Sequence, residues 1–124
     1  MLSTAPITAF LSTTSARQAK AFYGSTLGLR LLGEDDFALV FAARGAPVRI
    51  QKVKAVTPQP FTALGWQVTS IRRSVRALAK RGVKFERYSF MEQDQDGIWL
   101  APSGTRVAWF KDPEGHVLSL SQAA

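Results

Sequence analysis

His116 is the single histidine in this 124-residue chain, and there is no cysteine. Acid–base and nucleophilic chemistry therefore has few places to start. An imidazole can act as a general base near neutral pH. Asp112 and Glu114 lie beside it in the run Asp112-Pro113-Glu114-Gly115-His116, which has the look of a small ligand cluster. The same run is also a turn, because proline and glycine fix the backbone and aspartate bonds it. We expect the turn. A serine hydrolase would need an activated serine near this histidine, and the chain has no G-x-S-x-G elbow. Asp94 and Asp96 alternate ahead of Gly97 as calcium ligands can. The remaining ligands and the closing glutamate of an EF-hand loop are missing. A solvated loop, able to close over a binding cleft, is expected there.

These residues must be positioned by regular elements, and the elements come in two similar sets. Ser15 can cap a helix that Gly28 ends, with Ala19, Phe22, Tyr23 and Leu27 at helical spacing between them. Ser70 and Gly82 bracket a second such segment with the stripe Ile71, Val75, Leu78. A strand-like run precedes each helix (7–13 and 61–68), and Gly-apolar-basic-apolar follows each (28–31 and 82–85). The apolar runs 37–41 and 106–110 then lead through Gly45 and Gly115 into last strands at 48–53 and 117–120. Five coincidences in one order mark an internal duplication. The chain reads as β-α-β-β-β twice, one single α+β domain with module 1 about 5–55 and module 2 about 60–122. The second half carries an insertion from Met91 to Ser103 that includes Ile98-Trp99-Leu100.

The length suits one domain with a real core, and 46% hydrophobic with 20% charged residues is a globular composition. No apolar run nears the roughly 20 residues of a membrane span, and the first ten residues do not resemble a secretory signal. Without cysteine the chain needs no oxidising compartment, so a cytoplasmic protein is expected. The formal net charge is +7, which favours acidic or neutral small ligands over cationic ones. Arg72, Arg73, Arg76, Lys80 and Arg81 lie off the apolar stripe of the second helix. We read them as a solvated face rather than a nucleic-acid site, which would want a basic stripe extended by other elements or aromatic platforms beside it. No membrane partner is expected. Trp66 alternates with Leu64 and Val68 and should pack under that helix.

Two stretches carry a family resemblance. Ala21-Phe22-Tyr23-Gly24-Ser25-Thr26-Leu27-Gly28-Leu29 resembles an "FY…LG(L/F)" helix end, and Asp112-Pro113-Glu114-Gly115-His116 a "DPxG(N/H)" turn before the last strand. Set in the doubled layout, they resemble the vicinal oxygen chelate superfamily of glyoxalase I, extradiol dioxygenases and bleomycin-resistance proteins. The resemblance implies two tandem modules whose curved sheets enclose a cleft, with the helices on the outer face. It also implies a divalent ion held by His or Gln, Glu, His and Glu on the inner strands in the metal-using members. Carried over, those positions hold Thr8, Arg49, Ala63 and Ser119. None is an ordinary ligand for a transition metal, so neither metal nor another cofactor is expected.

If these four residues face the cleft, strand alternation brings Phe10, Ser12, Gln51, Gly65 and Gln67 to the same side. The expected ligand-binding residues are Arg49, Gln51, Gln67, Phe10, Ser119 and Trp109, with Arg49 gripping an anionic or carbonyl group and the two glutamines orienting it. The expected function is metal-independent binding of a small anionic or neutral molecule. Its alternative is a metal-dependent lyase, isomerase or dioxygenase with other ligands, and a third reading is a structural or nucleic-acid-associated module. Open sheet edges, together with the habit of relatives to pair modules across chains, point to a homodimer.

Overall fold

The computed structural model describes residues 1–124. Contacts divide the chain into two compact units, Met1–Thr57 and Pro58–Ala124. The first contains β1 (Ala9–Thr13), α1 (Ala16–Ala19) running on as a π-helical stretch (Lys20–Thr26), β2 (Arg30–Glu34), β3 (Ala38–Ala43) and β4 (Ala46–Lys52). The second contains β5 (Thr62–Gln67), α2 (Ile71–Lys80), β6 (Trp99–Leu100), β7 (Arg106–Lys111) and β8 (Val117–Gln122). Strand order is β1-β4-β3-β2 in one sheet and β5-β8-β7-β6 in the other. In each, the first strand runs parallel to the last and the other pairs are antiparallel. The α+β duplication read from the sequence is therefore present as two four-stranded mixed sheets, each with one main helix, and a 3-10 turn at Leu2–Thr4 precedes the first. No helix is long and apolar enough to cross a membrane.

Local chemistry explains the helix ends. The Ser15 hydroxyl accepts a hydrogen bond from the Gln18 N–H at 3.2 Å. At the other end Gly28 takes φ 78°, and the Leu29 N–H reaches back six residues to the Tyr23 carbonyl at 2.9 Å, one residue wider than the six-to-one bond of a glycine-terminated α-helix because the turn before it is π-helical. Ser70 occupies the equivalent cap position but makes no side-chain cap bond. The Gln122 carboxamide, arriving from the end of β8, accepts from the Ile71 N–H at 2.9 Å instead. Alternation then divides each sheet into two faces. Leu11, Leu39, Phe41, Val48 and Ile50 are buried on the helical side of the first, with Ala19 and Tyr23. Ala108, Phe110, Leu118 and Leu120 do the same in the second, with Ile71 and Val75.

Three local features differ from expectation. The first strand begins at Ala9, leaving Ile7 and Thr8 outside it. Most of the first helix is π-helical, because the chain widens by one residue per turn before Gly28, a change that apolar spacing does not encode. In the second unit the run after the helix forms only an isolated bridge between Phe85 and Phe110. The edge strand comes from the insertion instead, as Trp99 and Leu100 pair with Val107 and Arg106.

Candidate functional site

On the open face of the first sheet, Phe10 lies beside Arg49 and Ser12 beside Gln51 across the parallel β1–β4 pair. Phe10 is 57% exposed, Gln51 is exposed and Arg49 is half-buried. The burial alternates, Val48 and Ile50 going under the helical layer and Arg49 and Gln51 to the opposite side. None of the ion pairs of this unit includes Arg49. The Asp35 carboxylate does feel its charge, but that group is occupied by the N–H groups of Phe37 and Ala38 at 2.8 and 2.9 Å. These two bonds, more than any cation, hold Asp35 below the usual carboxylate range. Lys52, three residues on, is engaged by Glu34, which also pairs with Lys20. Arg49 is thus a cation with no committed anion.

On the open face of the second sheet lie Gly65, Gln67, Ser119 and Ser121, with Trp109 opposite Ser119 and Val107 opposite Ser121. Trp99, paired with Val107, joins the same face. A register shift between Thr62 and Leu64 places Ala63 at an irregularity of the β5–β8 pair. The Trp109 indole N–H donates to the Thr62 hydroxyl at 3.1 Å, which fixes the ring. The Trp99 ring lies 6.0 Å from that of Trp109, and Tyr88 meets Trp109 edge-on at 5.7 Å. Phe90 extends the group, 5.5 Å from Tyr88. Trp66 has the opposite parity and, half-buried, stacks on buried Phe110 at 6.5 Å. Tyr88 and Phe90 thus join Trp109, which strand alternation alone brings to this face. The density of aromatic residues between 85 and 99 was the available signal.

The insertion is not a loose loop. Arg72 on α2 pairs with Asp94 at 2.9 Å and with Asp96, and Arg76 with Asp96 at 3.3 Å. Arg87 donates to the carbonyls of Asp94 and Gln95. The Gln93 carboxamide donates to the carbonyls of Glu86 and Gly97 and accepts from the Tyr88 N–H. Burial pushes the Asp94 carboxyl up, but the Arg72 guanidinium and the N–H groups of Ile98 and Asp96 outweigh it, leaving the group below its ordinary value. The two aspartates that could suggest calcium are committed to arginine and backbone.

Asp112 is buried, and its carboxylate accepts from the N–H groups of Glu114 and His116 at 3.0 and 2.9 Å. Carboxylate and backbone together close the turn into β8, as the Pro–Gly pattern implies.

No family model matches the chain, and no curated protein matches it in sequence. A glyoxalase family protein from Enterococcus faecalis superposes with a TM-score of 0.76 at 19% identity, over 98% of this chain and 99% of its own. The fold is that of the vicinal oxygen chelate proteins. Lactoylglutathione lyase from Agrobacterium tumefaciens superposes with a TM-score of 0.74 at 12% identity, covering 96% of this chain and 93% of the other. The genomically encoded fosfomycin resistance protein FosX from Listeria monocytogenes gives 0.73 at 13% identity, over 95% and 92%.

The observed registers test whether a divalent ion of the kind found in this fold family suits these strands. Thr8 is exposed and precedes β1, Ala63 offers a methyl group, and Arg49 is a permanent cation. Ser119 contributes a neutral hydroxyl, and the flanking open-face residues are Phe10, Ser12, Gln51, Gly65, Gln67 and Ser121. No three His, Asp or Glu side chains group closely enough to hold a metal. None of the four carried-over positions offers an imidazole or a carboxylate.

Proposed function

We propose that this chain binds a small anionic or neutral molecule on the open faces of its sheets without using a metal ion. The observation that carries the reading is Arg49, a half-buried guanidinium outside every ion pair of its unit, with the Gln51 carboxamide two residues along the same face. A guanidinium suits bidentate contact with a carboxylate or phosphate. Gln51 offers both donors and acceptors to the polar part of a ligand there, with Phe10 beside Arg49 for its apolar part. On the open face of the second sheet Gln67, Ser119 and Trp109 offer contacts of the same kinds. A homodimer is the assembly in this reading, since each sheet leaves unpaired strand edges, and a chain without cysteine suits a reducing compartment such as the cytoplasm.

Native mass spectrometry of protein purified without added metal or chelator tests this reading. A dimer carrying an organic adduct, with the adduct lost in Arg49→Ala, is the expected result. Adduct retained in Arg49→Ala removes the proposed role of that arginine. A stoichiometric divalent metal would replace the binder with the second reading, a metal-dependent lyase, isomerase or dioxygenase. Likeness in fold to a lactoylglutathione lyase gives that reading its support.

A further inference from the structure

On the helical side of the second sheet lies a cavity of about 650 Å³, lined by residues of β6, β7, the start of α2 and the insertion. This is the size of a small-molecule pocket. Leu100 and Arg106 line it and face each other across the β6–β7 pair, with the same parity as buried Ala108 and Phe110. The cavity is therefore separate from the open face that carries Trp109 and Ser119. Its walls are held in place. Arg72 is engaged by Asp94 and Asp96, and the second Asp94 oxygen accepts from the N–H groups of Asp96 and Ile98. The Gln93 carboxamide is taken up by Glu86, Tyr88 and Gly97. A preformed cavity of this kind binds a ligand at low ordering cost.

With these groups committed, the lining left to a ligand is one guanidinium, one carboxylate and three apolar side chains: Arg106, Glu92, and Met91, Ile98 and Leu100. Neither Arg106 nor Glu92 takes part in any of the unit's ion pairs, and they do not pair with each other. Arg106 is half-buried, so its permanent charge gains more from a partner than a fully solvated one would. A lone anion here would meet Glu92, and a lone cation would meet Arg106. A molecule that carries both signs satisfies both walls. We propose that this cavity binds a small zwitterion, an α-amino acid with an apolar side chain. Its carboxylate is met by the Arg106 guanidinium and its ammonium by the Glu92 carboxylate, while its side chain lies against Met91, Ile98 and Leu100. The site is independent of the open-face binding proposed above and takes a different ligand.

Calorimetric titration of the full chain with four probes tests the proposal: L-leucine, 4-methylpentanoate, 3-methylbutylamine and glycine. The second lacks the ammonium, the third the carboxylate and the fourth the apolar side chain. We expect L-leucine to bind about tenfold more tightly than each of the others. Arg106→Gln and Glu92→Gln should each weaken L-leucine about tenfold. Neither residue is in an ion pair that holds the unit together, so the thermal unfolding of both variants should match the parent. Arg106→Gln should also bring L-leucine down to the level of 3-methylbutylamine, and Glu92→Gln to that of 4-methylpentanoate. Arg49→Ala should leave L-leucine unchanged. Binding of 4-methylpentanoate or 3-methylbutylamine as tight as that of L-leucine overturns the assignment, and so does an absence of L-leucine binding at millimolar concentration. L-leucine binding lost in Arg49→Ala but unmoved in Arg106→Gln and Glu92→Gln would place the amino acid on the open face and remove this site.

Discussion

A Cβ atom placed on Gly65 would lie 2.5 Å from the Ser119 hydroxyl oxygen but 3.8 Å from the Ser119 Cβ. Glycine at this point of β5 therefore decides where the hydroxyl on β8 points. Turning a serine rotamer costs about 0.5–1.5 kcal/mol, so Gly65→Ala should fold with a loss of that order. Its main effect should fall on the ligand, because Ser119 can no longer present its hydroxyl over position 65. Ser119→Ala should lose the same affinity, and the double variant should bind no worse than either single one. Strong non-additivity of this kind, read from a double-mutant cycle, marks one shared contact. Additive losses would separate the two residues.

The cap of α2 yields a second prediction. Ser70 has the residue type and place of a helix cap, yet Gln122 supplies the bond to the Ile71 N–H. Ser70→Ala should change stability by less than about 0.5 kcal/mol, whereas Gln122→Ala should cost about 1 kcal/mol. Urea unfolding followed by tryptophan fluorescence would rank the two. The reverse order would mean that the serine caps the helix in solution.

This pair also shows how far a sequence can be read. Helix ends at Ser15 and Gly28, the alternating strands and the Asp112 turn depend on neighbours within a few residues, so type and spacing reveal them. The open-face positions of Arg49 and Gln51 follow from the same alternation. The Gln122 cap and the Arg72 clamp join residues 51 and 22–24 positions apart, and no local period records such partners. β6 escaped for a related reason. Its two residues become a strand because the hydrogen-bonded insertion delivers them to β7, whereas Val83 to Phe85 carry an equally plausible strand pattern and form one bridge. Aromatic residues gave the least away, since Trp66 and Trp109 differ in role only by the parity of their strands.

Asp112 makes a third test. Its carboxylate is buried and accepts two backbone N–H groups, so Asp112→Ala leaves both donors to find other partners. A loss of about 2 kcal/mol is expected, with Asp112→Asn losing less because it keeps one carbonyl oxygen. Thermal unfolding of the two variants would show the order. Equal and negligible effects would mean that proline and glycine alone hold the turn.

The clamp on the insertion carries a prediction about pH. Asp94 is held below its ordinary value of 3.8, since Arg72 and two backbone N–H groups outweigh its burial. A carboxylate whose folded pKa is depressed contributes fully above the unfolded value, and its contribution is lost as the pH falls through the folded one. The insertion should therefore stay fixed at neutral pH and loosen only below about pH 3.8. The amides of Asp96 and Ile98, which donate to the Asp94 carboxylate, report its state directly. Their nuclear magnetic resonance shifts should titrate with a midpoint below 3.8 in the parent chain. In Arg72→Gln the midpoint should rise, because the guanidinium is the largest of the lowering influences. High salt should move the parent midpoint the same way, since Arg72 and Asp94 are both partly exposed. A midpoint unmoved by Arg72→Gln would assign the hold on the insertion to Gln93 and Arg87 instead.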